Sequence, residues 1–106
     1  MKIKEINEEY LEFDNGTRIS YDHIQDCCKW NHADFAQLDD IARNYEFNEK
    51  LKFEAIENAG FRFGDERQMF FVPCYSEQNG WYTAELDIYY NNKKVLHIEE
   101  CDERYC

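Results

Sequence analysis

The sequence predicts an α+β domain, mostly an antiparallel β-sheet meander with an N-terminal hairpin and one short helix. Three observations lead to this class. Apolar and polar residues alternate over several short segments, which is the period of a half-buried strand. Turn-forming residues separate these segments by a few positions, so successive strands pair without crossover connections. Only residues 35–45 show the three- to four-residue spacing of a helix.

The N-terminal hairpin is the first predicted element. Leu11 and Phe13 share one face of the segment EYLEF, and RISY presents Ile19 and Tyr21 in the same alternation. The Asn-Gly pair between the two segments tolerates the positive φ angles of a type I′ turn, which joins the strands of tight hairpins.

The single helix follows an unpatterned stretch, residues 22–33. It is predicted to begin after Asp34, because Asp is a favourable N-cap residue. Its apolar face would consist of Phe35, Leu38, Ile41, Ala42 and Tyr45. We therefore expect a short helix at about residues 35–45.

The second half of the chain is predicted to form consecutive strands. They correspond to LKFEA, FRF, MFFVPCY, WYTAELDIYY and VLHI. MFFVPCY is an almost continuous apolar run, which is typical of a strand covered on both faces, and Pro73 indicates an edge, a strand end or a bulge. The polar tail is expected to fray from about residue 99 of a single domain that spans 1–106.

Acidic residues dominate the chain, with 23 Asp and Glu against 12 Lys and Arg, and a net charge of −11. Such a field repels nucleic acids and anionic membranes, because phosphate groups are bound by Lys and Arg. The charge favours a basic protein partner, or else it serves only solubility. Direct nucleic-acid binding and membrane binding are therefore not expected.

The sequence also predicts a cytoplasmic location. The opening residues MKIKEINEEYLEF lack the apolar core of a signal peptide, and no apolar run is long enough to cross a bilayer. Thiols stay reduced in the cytosol, so the five cysteines are expected to be thiols or metal ligands before disulfides.

A cluster of His, Asp and Cys residues lies in the stretch DHIQDCCKWNH. Its members are His23, Asp26, Cys27, Cys28 and His32, and these residue types bind zinc at short spacings. The two separated ligand pairs of a typical zinc site are absent. A strained disulfide between the adjacent cysteines would instead give a labile redox site. The third interpretation is a packed turn with one cysteine in the core.

No motif in the sequence indicates an enzyme. A nucleophile elbow, a phosphate-binding loop and the H-E-x-x-H pattern are all missing from the sequence. Combinations such as Cys74 with His97 arise from composition alone in a chain with five cysteines and three histidines. We therefore predict no catalytic residues and no cofactor.

One face of the WYTAELDIYY strand combines aromatic and acidic side chains. Its members are Trp81, Thr83, Glu85, Asp87 and Tyr89. Exposed Tyr and Trp are frequent anchors of protein interfaces, and carboxylates beside them suit a basic partner. The alternative is that the predicted helix packs on this face and buries it.

Four segments of the chain together resemble other sequences. They are ISYDHIQDCCKWNHADF, GFRFGD, FFVPCYSEQNGWY and LDIYYNNKKVL. They resemble a family of small proteins of unknown function from gut bacteria, their phages and mobile elements. Its core pattern H-x-x-D-C-C-[EK] is matched by His23, Asp26, Cys27, Cys28 and Lys29. The resemblance implies no activity. It implies a mobile-element context, which favours an inhibitor or accessory protein over a housekeeping enzyme.

The sequence thus predicts a non-enzymatic, acidic protein-binding module. Its specific form would be a phage or mobile-element inhibitor of a basic, nucleic-acid-binding host protein such as a defence nuclease. The alternative is a small metal- or redox-dependent domain built on the His/Cys cluster of residues 23–32, with zinc as the cofactor.

Overall fold

The computed structural model describes residues 1–22, 29–78 and 84–105. Within these ranges one helix, α1 (Leu38–Ile41), lies between the fourth and fifth strands. The strands are β1 (Ile3–Ile6), β2 (Tyr10–Phe13), β3 (Arg18–Asp22), β4 (Lys29–Ala33), β5 (Lys52–Ile56), β6 (Gly60–Gly64), β7 (Met69–Gln78), β8 (Leu86–Tyr90), β9 (Lys93–Ile98) and β10 (Asp102–Tyr105).

The strands form two sheets whose inner faces share one aromatic core. The first sheet has the order β1-β2-β3-β8-β9, and the second has the order β10-β7-β6-β5 with β4 also on β7. Phe13 of the first sheet meets Phe63 of the second edge-to-face, with ring centroids 6.5 Å apart. Phe53 of the second sheet meets Tyr90 of the first at 5.7 Å. The two sheets therefore stabilise each other through large buried rings.

The fold class is mostly β, so the α+β prediction is corrected in this respect. The sheets are mostly antiparallel and the N-terminal hairpin is present, as predicted. The predicted meander is interrupted, because β3 pairs with β8 and joins distant parts of the chain. The β10–β7 pair is parallel.

The β2–β3 and β8–β9 hairpins of the first sheet use different turns. In the β2–β3 hairpin only Gly16 has a positive φ, and its N–H donates to the Phe13 carbonyl at 3.0 Å. The Phe13 N–H donates to the Thr17 carbonyl at 2.9 Å, so residues 14–16 form a three-residue loop with a left-handed glycine, and the predicted type I′ turn is wrong here. Asn91 and Asn92, between β8 and β9, both have positive φ, at 52° and 66°, as a type I′ turn requires.

The helix is shorter than predicted, because its ends are turns. Asp34 accepts a hydrogen bond from the Ala36 N–H at 3.0 Å instead of capping a longer helix. After α1 the chain returns along the edge of β1, where the Met1 and Phe47 backbones exchange hydrogen bonds of 2.8 and 2.7 Å. A helix continuing to residue 45 would prevent this pairing.

Strand β7 pairs with β6 in its first half and with β4 and β10 in its second half, and Pro73 lies at the boundary between the two halves. The Pro73 carbonyl accepts from the Asp34 N–H at 2.8 Å, whereas the next N–H, that of Cys74, donates to the Ala59 carbonyl at 2.9 Å. The missing N–H of Pro73 thus faces the point just beyond the end of β4. This matches the predicted edge position and not the predicted strand end, because Pro73 lies in the interior of β7, just outside the β4 ladder. Phe71 is 38% exposed, so β7 is not covered on both faces as predicted.

The tail was expected to fray, but the structure places a strand there. Residues of β10 pair in parallel with the second half of β7, starting with Asp102 opposite Tyr75. Cys101, which precedes β10, is buried, and its N–H donates to the Ala84 carbonyl at 2.8 Å. Burial of Cys101 thus fixes the start of β10, although the polar composition of the tail predicts no such buried residue.

The β6–β7 pairing predicts a strong effect of a small substitution. Gly60 has a φ of +153°, and a Cβ at this position would lie 2.1 Å from the Val72 carbonyl oxygen. Gly60→Ala is expected to lower the free energy of unfolding by more than about 2 kcal/mol, because the backbones must separate. Chemical denaturation monitored by fluorescence measures this change.

Gly16→Ala is the matched control for this prediction. Gly16 also has a positive φ, +89°, but a Cβ there meets nothing within 4 Å. Its cost should stay near the roughly 1 kcal/mol of a strained left-handed residue. Equal losses in the two variants would contradict the close approach of β6 and β7.

Candidate functional site

The outer face of β8 carries the described members of the predicted partner-binding face. Leu86 and Ile88 are buried in the core, so the alternate residues Asp87 and Tyr89 face outward and are partly exposed. Glu85, just before the strand, is exposed. Trp81 and Thr83 lie outside the described residues. Helix α1 does not cover this face, because Gln37 beside it reaches the Phe71 carbonyl of β7, at 2.9 Å.

His97 of β9 joins these residues, which was not predicted. It lies directly opposite Asp87 in the β8–β9 ladder, and its Nδ1 is 2.6 Å from Asp87 Oδ1. Its Nε2 is 3.6 Å from Glu85 Oε1. We call Glu85, Asp87, Tyr89 and His97 the acidic strip. The pairing register of β8 and β9 brings His97 here, and periodicity alone does not give that register.

The acidic strip contains like charges that need compensation. Asp22 of β3 lies directly opposite Asp87, and two carboxylates in this position repel each other. Lys94 Nζ, 3.7 Å from Asp87 Oδ1, and the His97 imidazole both offset this repulsion. Asp87 therefore has its attractive partners on the β9 side of the sheet.

A cleft of about 700 Å³ adjoins the acidic strip, between the end of β5 and the end of β9. We call it the acidic cleft. Ala55, Ile56 and Ile98 supply its apolar lining, and its other lining residues are Glu57, Glu85, His97, Glu99 and Glu100. A backbone hydrogen bond of 3.2 Å from Asn58 to Glu100 joins the two sides. Its volume lies in the range of ligand-binding clefts, but its lining is more acidic than that of a typical small-molecule site.

A buried polar link fixes the first residue of the acidic strip to the second sheet. The side-chain amide of Asn31 donates to the Glu85 carbonyl at 2.7 Å. The buried Ser76 hydroxyl donates to the Asn31 Oδ1 oxygen. Because buried polar groups are costly unless they are bonded, this link holds the backbone at Glu85 in one position.

The chemistry of the cleft suits binding of a cation. Four glutamates surround its apolar lining, and none of the described residues that line it is a Ser, Thr or Cys. The Asp87–His97 pair resembles the orienting half of a catalytic triad, but no described lining residue offers it a hydroxyl or thiol to activate. Carboxylates at this density attract Lys or Arg side chains and repel phosphate.

The His/Cys cluster has only one member, His32, in the described ranges. Its Nε2 is 3.0 Å from Glu77 Oε2, and its ring stacks on Trp30 with centroids 3.8 Å apart. His23, Asp26, Cys27 and Cys28 lie outside the described residues. Across the part of the chain that is described, no three His, Cys, Asp or Glu side chains are grouped to hold a metal ion. The zinc or redox site stays a prediction.

Asp65, in the β6–β7 turn, is a second polar centre that the sequence did not indicate. It is 6% exposed and accepts hydrogen bonds from the Tyr45 hydroxyl at 2.9 Å and from Arg67 Nη2 at 3.1 Å. The N–H groups of Asn48, Arg67 and Gln68 also donate to it. Asp65 thereby ties the segment after α1 to the turn. Its role is structural, and only its position two residues before Arg67 hints at it.

The surroundings of Asp65 change its acidity. Burial alone would raise the pKa of its carboxyl group, but the hydrogen bonds from Arg67, Tyr45 and Asn48 outweigh burial. They hold this pKa well below its usual range, so the carboxylate stays ionised at acidic pH. A group with a lowered folded-state pKa stabilises the protein above its unfolded-state pKa, and this contribution is lost as the pH falls.

The chain matches no family model, and no curated protein or solved structure shows significant similarity to it. The resemblance to a phage and gut-bacterial family therefore stays a prediction. Among the described residues, no helix has the length and apolar character needed to span a membrane. The cytoplasmic location also stays a prediction.

The hydrogen bonds of Asp65 predict a pH-dependent loss of stability. Asp65→Asn should lower the free energy of unfolding at neutral pH, because an amide cannot accept all of these hydrogen bonds. The difference from the wild-type protein should shrink as the pH falls below about 4, where an unfolded Asp takes up its proton. Urea unfolding across this pH range measures the effect.

Asp39→Asn is the matched control for the Asp65 prediction. Asp39 is exposed and pairs with Arg43 one helical turn away, an arrangement that contributes little to stability. Its free energy of unfolding should follow that of the wild-type protein at every pH. A difference for Asp65→Asn that does not change between pH 7 and pH 2 would contradict the assigned role of the carboxylate.

Proposed function

We propose that the protein is a non-enzymatic, acidic protein-binding module, and that the acidic strip and the acidic cleft bind a basic surface of its partner. The observation that carries the proposal is the unbalanced charge at the cleft. Glu57, Glu99 and Glu100 line it and form no ion pair with any side chain that the structure describes. Among the described side chains, the positive groups that pair with the acidic strip are Lys94 and, when protonated, His97.

The charge elsewhere on the surface supports this choice of face. Arg18, Arg43, Arg62 and Arg67 each pair with a nearby carboxylate, at 2.6–3.1 Å. Much of the described surface therefore carries charges of both signs, whereas the cleft carries mainly negative charge. A partner with a basic patch would be oriented toward this side before contact.

Apolar groups beside the acids support protein binding over simple ion attraction. Tyr89 is partly exposed on β8, and Val95 of the neighbouring β9 is 38% exposed. Interfaces typically combine such anchors with a charged surround that sets orientation and association rate. The acidic strip provides both components on one sheet face.

The specific form of the proposal is an inhibitor of a nucleic-acid-binding protein. A net charge of −11 gives the chain the same sign as DNA or RNA, so its acidic face can occupy a groove that binds phosphates. The phage and mobile-element context comes from the sequence resemblance. It favours a host defence nuclease as the partner.

A displacement assay tests this function. Purified DNA-binding nucleases are loaded with a fluorescent DNA duplex, and displacement of the duplex is titrated with the protein at several salt concentrations. We expect displacement at low salt that weakens steeply as salt rises, because the contacts are between charges. No displacement from any tested nuclease at low salt would contradict the proposed inhibition.

A charge-reversal pair tests the proposed face. Glu57→Lys combined with Glu85→Lys should weaken partner binding by roughly tenfold or more, which corresponds to about 1.4 kcal/mol. Both residues line the acidic cleft. The same displacement titration measures the loss.

The control variant carries the same change in net charge at another place. Glu49→Lys with Glu66→Lys alters two exposed residues outside the acidic cleft. This variant should keep most of the affinity. Equal losses in the two variants would show that net charge alone drives binding and would reject the cleft as the binding site.

A further inference from the structure

Cys74 and Cys101 form a buried pair of thiols at the point where β10 begins. Cys74 is fully buried on β7 and Cys101 is 2% exposed. Both are free cysteines. The acidic strip and the acidic cleft do not include them, so the proposed function gives them no role.

The strand register brings the two cysteines face to face. β10 pairs in parallel with β7, and Asp102 lies opposite Tyr75. The preceding residues, Cys101 and Cys74, are therefore neighbours where the pairing begins, and the Cys101 thiol lies close enough to raise the pKa of the Cys74 thiol. Neighbouring strands are about 4.8 Å apart. This spacing lies within the roughly 4.4–6.8 Å that separates the Cα atoms of bridged cysteines.

We propose that Cys74 and Cys101 are an oxidative modification site, a reversible disulfide that fastens β10 to β7. The pair stays reduced in a reducing compartment and is bridged when a low-molecular-weight disulfide becomes abundant. The bridge would close the chain between β7 and β10, including β8 and β9. It would therefore restrict the unfolded chain and stabilise the fold.

The oxidation balances with a low-molecular-weight disulfide such as oxidised glutathione as the oxidant. One cysteine loses its proton and attacks the glutathione disulfide, which forms a mixed disulfide and releases one glutathione. The second cysteine loses its proton and attacks the protein sulfur of the mixed disulfide, which releases the second glutathione. The two cysteines lose two electrons, and each released glutathione carries one proton.

The closed fold protects the pair from this reaction. Burial and the adjacent Cys101 thiol raise the pKa of the Cys74 thiol far above its usual range, so the reactive thiolate is scarce. Oxidation therefore requires that β10 leaves β7 and exposes both sulfurs. The rate of disulfide formation should follow the opening of this strand, and reduction should restore the thiols.

The experiment uses a variant in which Cys27, Cys28 and Cys106 are Ser, so that only the proposed pair remains. It is incubated with oxidised glutathione in a concentration of urea below the unfolding transition, and free thiols are then alkylated. Intact mass spectrometry should show the loss of two hydrogens and no alkylation. Peptide mapping of the oxidised wild-type protein should identify the link between positions 74 and 101.

Two further measurements make the result specific. The melting temperature of the oxidised variant should rise by several degrees, and amide exchange at residues 102–105 should slow. Both changes should disappear after reduction. In the same background Cys101→Ser should only accept a single glutathione. Two glutathione adducts on the paired variant, or two thiols that remain reduced after transient unfolding in oxidised glutathione, would overturn the proposal.

Discussion

The second sheet depends on the pairing capacity of β7, which has a strand partner on one edge in its first half and two strand partners in its second half. β6 pairs with its first half, and β4 and β10 pair with its second half. The exchange of neighbours occurs at Pro73, where one carbonyl faces β4 and the next N–H faces β6. A residue without an N–H is tolerated at this point because no ladder partner requires it. Of the second sheet, only β5 lacks direct pairing with this strand.

Strand β7 also fixes the backbone position of the candidate binding face. The Ser76 hydroxyl of β7 donates a hydrogen bond to Asn31 of β4, and the Asn31 side chain donates one to the Glu85 carbonyl. The sequence of bonds crosses from one sheet to the other and ends at the acidic strip. A binding residue on a rigid support loses less conformational entropy when a partner arrives, so more of the contact energy contributes to affinity.

The acidic face also carries a thermodynamic cost. Asp22 opposes Asp87, and several glutamates surround one cleft, so the folded protein holds like charges close together. Lys94 and His97 reduce this repulsion at one point of the site. A basic partner would relieve the remainder. The clustered carboxylates thus lower the stability of the free protein and, by the same charge, attract a basic surface.

The sequence predicts the local elements well and the long-range pairings poorly. Alternation in EYLEF and RISY gives the N-terminal hairpin, because one buried face imposes a period of two. The pairing of β3 with β8 and of β10 with β7 joins distant residues, and no local pattern encodes such partners. The predicted helix is too long because turns on either side of α1 also satisfy its apolar spacing and bury Phe35 and Ala42.

For the candidate site, too, the sequence predicts the residues that share one strand but not those that other strands contribute. Glu85, Asp87 and Tyr89 follow from alternation along one strand. His97 and the glutamates at the end of β9 join them through the register between strands, and Glu57 joins them from the other sheet. Since register and sheet packing depend on the whole fold, the cleft itself has no signature in the sequence.

The parallel pairing of β10 with β7 has a consequence for how the protein is made. A ribosome releases β7 well before β10, so the second half of β7 waits for one of its partners while β8 and β9 are synthesised. During that interval an edge of the sheet presents unpaired backbone groups, which other nascent chains can recognise. Fast docking of β10 after synthesis would end this exposure. Slow translation of the segment between β7 and β10 would prolong the aggregation risk.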